Sequence, residues 1–338
     1  MTSVPEVELR ALLDHLAEPA IAARLDAFDG PPIHWDAWTV SRVSGSLNNR
    51  IYRAKRADGS PTDLAIKLTI RDHHNRADRE YNALRVLERA GLSVGPRPLL
   101  LDQDRYQTPV VVMTWLDGVT CLEAPTTEAD WRSIVELFTA IHSVTPERVP
   151  ADLRPPTLSM RSAAEGLEAI RFQLLAVPPA NQPAEALDLL ARLEACPFPT
   201  WTAPPSSLSQ GDANCRNLLK RSGTWAAVDW EYSGWGDPAF AFTTVLAHVA
   251  YLDVPPERLA WARDLYLSLT PYPGVVERLA VYLPLAYGQW VARFARMLYE
   301  VPRGADRRLT PYPDGWLDAV RVRYERYLDL AHQSLLDW

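Results

Sequence analysis

The sequence predicts an α+β protein with two parts, a small antiparallel sheet followed by a larger helical region. Two observations carry this prediction. Between residues 38 and 114, short β-like runs are separated by turns rich in Gly, Asp and Ser, which is typical of an antiparallel sheet. After the Asp117-Gly118 turn, apolar residues recur mostly at spacings of three and four, which indicates helices. With 338 residues, the chain is long enough for two hydrophobic cores.

The N-terminal part, residues 1–117, is predicted to contain five strands and two helices. The first helix, over 5–28, belongs to a helical extension of residues 1–35 that we expect to pack on the sheet. A second helix over 75–90 carries an apolar stripe and ends before Gly91. The strands are predicted at 38–43, 51–54, 64–69, 97–102 and 110–113.

The C-terminal part, residues 118–338, is predicted to be helical except for one short hairpin. The hairpin spans 218–228 and turns at Ser222-Gly223. Helices are predicted at 127–143, 160–175, 183–194, 239–252, 256–268, 275–299 and 315–336.

Composition narrows the class of protein. The net charge of −7 argues against a nucleic-acid partner, which would favour a basic face, and is compatible with a cationic small ligand. The sequence has no apolar run of about 18 residues and no apolar signal core, so we expect no membrane span. The three cysteines lack metal spacing, which indicates reduced thiols in a cytoplasmic protein.

Five polar residues follow a spacing that suits phosphoryl transfer. Asp212 and Asn217 precede the hairpin, and Asp229 follows its second strand. Oxygens of Asn217 and Asp229 are ligands of the kind Mg²⁺ prefers, and Asp212 could orient a hydroxyl and accept its proton. Lys67 on a strand could contact nucleotide phosphates, held by Glu80 on the next helix. Taken alone, Asp212 and Asn217 would favour an interpretation as turn residues that cap a helix.

The same segments resemble the aminoglycoside phosphotransferase and choline kinase-like superfamily. The resemblance covers about residues 38–245 and is specific because five segments occur in the family's order. They are 44–52 (SGSLNNRIY), 112–118 (VMTWLDG), 209–217 (SQGDANCRN), 227–231 (AVDWE) and 236–240 (GDPAF).

The resemblance implies a protein-kinase-like bilobal fold and a small-molecule kinase that uses ATP or GTP with Mg²⁺. It implies that Asp212 is catalytic and that Asn217 and Asp229 bind the metal. Acceptors of this family include aminoglycoside-like aminocyclitols, amino alcohols such as choline, and sugars. The residues that it implies for the nucleotide are Lys67, Glu80, Gly45, Ser46, Met113, Thr114 and Leu116.

Two departures from the family sequence leave an alternative function open. Gln210 replaces the usual histidine, and Ala241 stands where an aspartate is common. Both favour a kinase-fold module that binds nucleotide or ligand without transferring phosphate. A protein substrate is not expected, because the segment between Asp229 and Asp237 is too short for a long activation loop.

Several residues have two interpretations. Glu231 could face the substrate or solvent, and Asp237 could face the substrate or cap a helix that begins at Pro238. We expect His248 to be a packed or surface residue. An aromatic stripe on the helix over 275–299 is either core or a wall for a cationic substrate; its members are Tyr287, Trp290, Phe294 and Tyr299.

Overall fold

An antiparallel sheet forms most of the N-terminal part of the molecule. The fold is given by a computed structural model that describes residues 4–27, 30–43, 49–57, 63–270, 272–305, 312–336 and 338. Within these residues the sheet has six strands in the order β1-β2-β3-β4-β6-β5, and every neighbouring pair is antiparallel. The strands are β1 (Ile33–Trp35), β2 (Trp38–Val43), β3 (Asn49–Arg56), β4 (Leu64–Thr69), β5 (Pro98–Asp102) and β6 (Val110–Thr114).

The two faces of the sheet serve different cores because alternate strand residues point to opposite sides. On β6, Val110 and Val112 pack in a cluster with the N-terminal helices, whereas Val111 and Met113 belong to the core on the other side. That second core includes the apolar stripe of helix α3 (Arg76–Arg89). The alternation also turns Lys67 of β4 toward α3 and away from the helical extension, which is how this lysine reaches the site.

The N-terminal extension forms two helices, so the prediction of one helix over 5–28 is wrong. Helix α1 (Glu6–Leu16) ends before Pro19, which is the first residue of α2 (Pro19–Asp26). A proline inside a helix has no N–H to donate and clashes with the preceding turn, but it suits a first position. Strand β1 was not predicted either.

Ion pairs and an apolar face attach α1 to the sheet. The Glu8 carboxylate accepts hydrogen bonds from Trp38 Nε1 at 3.0 Å and from Arg56 Nη1 at 2.8 Å. Arg10 pairs with Asp102 of β5 at 2.8 Å. The apolar face of α1 is buried in the same cluster as β4 and β6 and consists of Leu9, Leu12, Leu13 and Leu16.

The C-terminal part is built on helices near their predicted positions. The main discrepancy is α7, which ends at Ala247 and gives way to a 3₁₀ turn, Val249–Tyr251, instead of continuing to 252. No helix within the described residues is both long and apolar enough to cross a bilayer. The helices are α4 (Glu128–His142), α5 (Ala163–Leu175), α6 (Ala184–Ala195), α7 (Pro238–Ala247), α8 (Pro256–Leu269), α9 (Val275–Glu300) and α10 (Trp316–Ser334).

Short strands hold the chain on either side of the candidate site. β9 (Leu218–Arg221) and β10 (Thr224–Ala227) form the predicted hairpin, and β9 also pairs with β7 (Val119–Thr120). β8 (Ser207–Ser209) pairs antiparallel with β11 (Gly234–Gly236). The β8–β11 pair therefore brings together the two ends of the segment 210–233, which contains most of the candidate site.

Candidate functional site

A cleft of about 1850 Å³ lies between the sheet and the helical part. Lys67, Glu80 and the segment after β6 line it from the sheet side, and Asp212, Asn217 and Asp229 line it from the helical side. Residues from distant parts of the sequence that were predicted to act together therefore lie around one cavity.

Lys67 is bound by carboxylates from two other elements. Its Nζ lies 2.5 Å from Asp229 Oδ1, 2.7 Å from Glu80 Oε2 and 3.5 Å from Glu231 Oε2. The side chains of Lys67 and Glu80 are 3% and 1% exposed, so this is a buried ion-pair cluster. It joins β4, α3 and the segment after β10 at the back of the cleft.

The charges in this cluster shift the pKa values of its members. Burial lowers the pKa of Lys67, but the carboxylates of Asp229 and Glu80 outweigh burial and hold that pKa well above its ordinary value. Burial raises the pKa of Asp229 to about 7, against the opposing effect of the Lys67 charge. Burial also raises the pKa of Glu80.

Backbone geometry presents the side chains of Asn217 and Asp229 to the cleft. Asp229 has a φ of +62°, a left-handed conformation that costs energy for any residue with a Cβ and is often found at functional sites. The Val228 amide donates to the Asn217 carbonyl at 2.8 Å, which places the two segments side by side. The Asn217 side-chain nitrogen donates to the Asp212 carbonyl at 3.4 Å, so its side-chain oxygen is the atom available to a metal.

Asp212 lies between a glycine turn and a histidine. The preceding Gly211 has a φ of +83°, and a Cβ there would lie 2.4 Å from the Tyr232 carbonyl oxygen, so only glycine fits. Asp212 Oδ1 accepts a hydrogen bond from the Asn214 amide at 3.2 Å and lies 3.3 Å from His248 Nε2. Burial is the largest single effect on the Asp212 pKa and would raise it, but His248, the Asn214 amide and Arg293 together outweigh burial and lower the pKa.

Glu231 lies in the buried cluster and not on an open face of the cleft. It is 1% exposed, and its carboxylate accepts hydrogen bonds from Arg76 Nη1 at 2.6 Å and Asn49 Nδ2 at 2.9 Å. Arg76 was not among the predicted site residues. A signal was present, because Arg76 precedes Glu80 by four residues and so shares its helix face.

Asp237 caps helix α7, which agrees with one of its two interpretations. Its Oδ1 accepts from the Ala239 amide at 2.9 Å, and Pro238 occupies the first helical position. Its Oδ2 accepts from Arg278 Nε and from the Tyr282 hydroxyl, each at 2.8 Å. The carboxylate is buried among these partners.

The segment joining the two parts contains the residues that were predicted to contact the nucleobase. Met113, Thr114 and Leu116 all line the cleft. The Thr114 amide donates to the Arg97 carbonyl within the sheet, whereas no described residue hydrogen-bonds with the backbone of Leu116. Gly45 and Ser46 lie outside the described residues.

The aromatic stripe of α9 packs against α10. The rings of Tyr287, Trp290 and Phe294 lie 5.6–5.9 Å from the ring of Tyr327. These rings form core between two helices, and none of them lines the cleft in the part of the chain that the structure describes. The aromatic residues that do line the cleft, within the described ranges, are Trp115, Trp261 and Trp316.

The two departures from the family sequence leave the geometry intact. Gln210 Nε2 donates to the Val228 carbonyl at 2.6 Å and so ties the Asp212 segment to the Asp229 segment. Ala241 is buried inside α7.

Solved structures show the same fold at low sequence identity. A candidate aminoglycoside phosphotransferase from Ralstonia eutropha JMP134 matches with a TM-score of 0.67 at 20% identity, over 96% of this chain and 98% of that chain. Spectinomycin phosphotransferase, solved with ADP and spectinomycin, matches with a TM-score of 0.61 at 13% identity, over 98% and 99% of the two chains. Choline kinase from Cryptosporidium parvum Iowa II matches with a TM-score of 0.60 at 11% identity, over 98% and 97%.

Comparison with curated proteins gives no match. The family model described as the phosphotransferase enzyme family matches residues 39–279, which include the sheet from β2 onward, the candidate site and the first turn of α9. The protein-kinase-like α+β fold predicted from the sequence is confirmed by the solved structures that match it. From this match over most of its length, we conclude that the chain belongs to the phosphotransferase enzyme family.

Proposed function

We propose that the protein transfers the γ-phosphoryl group of ATP or GTP to a hydroxyl group of a small molecule. The observation that carries this proposal is the common cleft of Lys67, Asp212, Asn217 and Asp229, with Lys67 bound to both Glu80 and Asp229. Phosphoryl transfer needs little covalent chemistry from a protein and depends mainly on position and charge. These are the properties that the four side chains supply.

In this proposal Asp212 is the catalytic carboxylate. Its side chain is 26% exposed to the cleft, and its lowered pKa keeps it ionised and able to accept a hydrogen bond at neutral pH. It would orient the acceptor hydroxyl and take its proton as the oxygen bonds to phosphorus. The nucleotide leaves as its diphosphate when the bond from the β,γ-bridging oxygen to the γ-phosphorus breaks.

Lys67 and Glu80 are proposed to hold the nucleotide phosphates. The Lys67 ammonium can donate to phosphate oxygens because Glu80, itself held by the Trp230 amide at 3.3 Å, fixes it at the cleft. Met113, Thr114 and Leu116 are proposed to hold the nucleobase, the last two through their backbones. Gly45 and Ser46 stay predicted phosphate contacts.

Asn217 and Asp229 are proposed to hold Mg²⁺, and the charge of the site supports this assignment. Three carboxylates, those of Glu80, Asp229 and Glu231, face two buried cations, Lys67 and Arg76. Burial is the main cause of the raised pKa of Asp229, and the neighbouring carboxylates of Glu231 and Glu80 raise it further. Mg²⁺ favours such oxygen donors, and when bound it neutralises charge on the phosphate oxygens.

We propose supporting roles for Glu231 and Asp237. The buried Glu231 would orient Lys67 and Arg76. Asp237 would fix the start of α7 beneath the catalytic segment. For both residues the buried contacts favour these roles over direct contact with an acceptor.

The acceptor is proposed to be an aminoglycoside-like aminocyclitol, an amino alcohol or a sugar. One structural relative was solved with spectinomycin, and others are choline and ethanolamine kinases. A cationic acceptor is compatible with Glu123 and Glu257, which are among the residues that line the cleft.

The test measures nucleotide consumption with Mg²⁺ and either ATP or GTP against a panel of aminoglycosides, amino alcohols and sugars. Mass spectrometry should find one acceptor that gains a phosphoryl group, and the Asp212→Asn variant should not form this product. Nucleotide binding without consumption for any acceptor would instead support the binding module, which Gln210 and Ala241 favour. The presence of Lys67, Asp212, Asn217 and Asp229 in one cleft argues against the binding module; all four side chains line it.

A further inference from the structure

The two carboxylate oxygens of Asp212 have different surroundings. Oδ1 accepts from the Asn214 amide at 3.2 Å and faces His248 Nε2 at 3.3 Å. No described residue donates a hydrogen bond to Oδ2. Rotation of a carboxylate about its last torsion is broad and roughly two-fold, so contacts to one oxygen decide which oxygen faces the cleft.

The tautomer of His248 follows from its other nitrogen. Nδ1 lies 3.1 Å from the Ala250 amide nitrogen, where the backbone N–H can only donate. Nδ1 must therefore carry a lone pair, and the proton of the neutral ring is on Nε2. The nitrogen that carries this proton lies 3.3 Å from Oδ1 of Asp212.

Aromatic neighbours fix the orientation of the His248 ring. The side chain is 9% exposed, and its ring meets Trp290 edge-to-face at 5.3 Å and 81°. Tyr251, at the end of the 3₁₀ turn, packs against it at 6.2 Å. The departure of the chain from α7 at Ala247, which interrupts the predicted helix, is what brings this ring to Asp212.

We propose that His248 is a positioning residue that donates its Nε2 proton to Oδ1 of Asp212, so that Oδ2 is the atom that accepts the proton of the acceptor hydroxyl. The inference rests on the proposed catalytic role of Asp212. It assigns a task to a histidine that the sequence analysis placed among packed or surface residues. A misplaced base can lower a rate about 100-fold, so the hydrogen bond has a kinetic consequence.

The first test is independent of activity. The protein is labelled with ¹⁵N-histidine, and the His248 signals are assigned by their loss in His248→Gln. We expect the Nε2–H tautomer, with an Nε2–H resonance that shifts in Asp212→Ala because its acceptor is removed. An Nδ1–H tautomer, or an Nε2–H signal that is the same in Asp212→Ala, would overturn the proposal.

The second test separates kcat from KM. Nucleotide hydrolysis with Mg²⁺, with water as the acceptor, is measured for ATP and for GTP. His248→Phe should lower kcat about 10- to 100-fold and change the nucleotide KM less than about twofold. His248→Gln, which keeps a donor, should recover most of the rate. Equal kcat in wild type and His248→Phe would contradict the proposal, as would a His248→Gln rate no higher than that of His248→Phe.

His142→Gln is the matched control. His142 is also buried and bonded, but to the Tyr266 hydroxyl at 2.7 Å, and it should keep the wild-type kcat. If the wild-type protein consumes no nucleotide with any acceptor or with water, the proposed function fails. In that case the NMR result still tests the His248–Asp212 hydrogen bond on its own. The NMR result is also the deciding test in the event that the His248→Phe variant does not fold.

Discussion

Lys67 is the residue on which the buried charges of the site depend. Replacing Lys67 by Met leaves the carboxylates of Glu80 and Glu231 buried without their lysine partner. Removing one partner of a buried ion pair costs about 3–5 kcal/mol of stability. We expect Lys67→Met to lower the unfolding free energy by this amount and to weaken nucleotide binding. Urea unfolding and a binding titration measure the two effects.

A second substitution separates structure from function at this position. Lys67→Met with Glu80→Gln removes both charges of the closest fully buried pair and should recover part of the lost stability. Nucleotide binding should stay weak in the double variant. Recovery of binding together with stability would show that Lys67 acts only as a structural ion-pair partner.

Asp212 is expected to affect the chemical step alone. General-base contributions are about 10²–10⁴, so Asp212→Asn should lower turnover by about 100-fold or more. Nucleotide affinity should change little, because the cluster around Lys67 is untouched. Turnover equal to wild type would remove Asp212 from the catalytic role.

Asp229 is expected to affect metal binding. Asp229→Ala removes one of two proposed ligands, so Mg²⁺-dependent nucleotide binding should be lost. Calorimetric titration of nucleotide with and without Mg²⁺ measures this effect. The same Mg²⁺ dependence in wild type and variant would contradict the assignment.

Sequence spacing predicted the polar residues of the site but not all of the residues that form hydrogen bonds and ion pairs with them. Lys67, Glu80, Asp212, Asn217 and Asp229 line the one cleft, as expected from their order. The partners of Glu231 and Asp212 come from residues up to 182 positions away along the chain, so only tertiary structure pairs them.

At the level of elements, the contact between α4 and α8 contains a histidine that should make folding sensitive to acid. Burial lowers the pKa of His142 to about 3, compared with about 6.5 in an unfolded chain. Between these values the unfolded state binds a proton that the folded state does not. The unfolding free energy should therefore fall by about 1.4 kcal/mol per pH unit as the pH decreases through this range.

Urea unfolding between pH 6.5 and 4 measures this slope, which His142→Gln should reduce. Tyr266→Phe is the control, since it removes the hydrogen bond at 2.7 Å but keeps the buried ring. It should lower stability at every pH and preserve the slope. A slope that persists in His142→Gln would assign the acid sensitivity to other groups.

Periodicity located most helices to within a few residues but missed where two of them end. The prediction over 5–28 failed because Pro19 begins a new helix. The prediction over 239–252 failed because His248 caps a 3₁₀ turn through its own side chain, a contact that apolar spacing does not reveal. The backbone preference of Pro19 and the side-chain cap made by His248 outweighed the helical period on either side.

At the scale of the whole molecule, the helical extension and the sheet share one core. Leu12 is 1% exposed in the cluster that also holds Leu64 and Val112. Leu12→Ala should therefore destabilise the N-terminal part by about 2–5 kcal/mol, as buried Leu-to-Ala changes do. Val7, on the same helix, is 77% exposed, and Val7→Ala should change stability by about 0.5 kcal/mol or less.

This coupling is tested by thermal unfolding. Circular dichroism gives the melting temperature of each variant, with and without bound nucleotide. If the extension folds with the sheet, Leu12→Ala lowers the melting temperature with and without nucleotide. Equal melting temperatures for Leu12→Ala and Val7→Ala would show that the extension contributes nothing to the stability of the sheet.

The pairing of β8 with β11 also has a practical consequence. The pairing fixes both ends of the stretch 210–233. Within this stretch, the β9–β10 hairpin extends to an exposed tip at Ser222 and Gly223. A Cβ added to Gly223 would meet open space. The tip can thus be altered while the ends of the stretch stay clamped. A fluorophore attached at Ser222 would accordingly report on the catalytic segment from outside, without occupying the space that its ligands need.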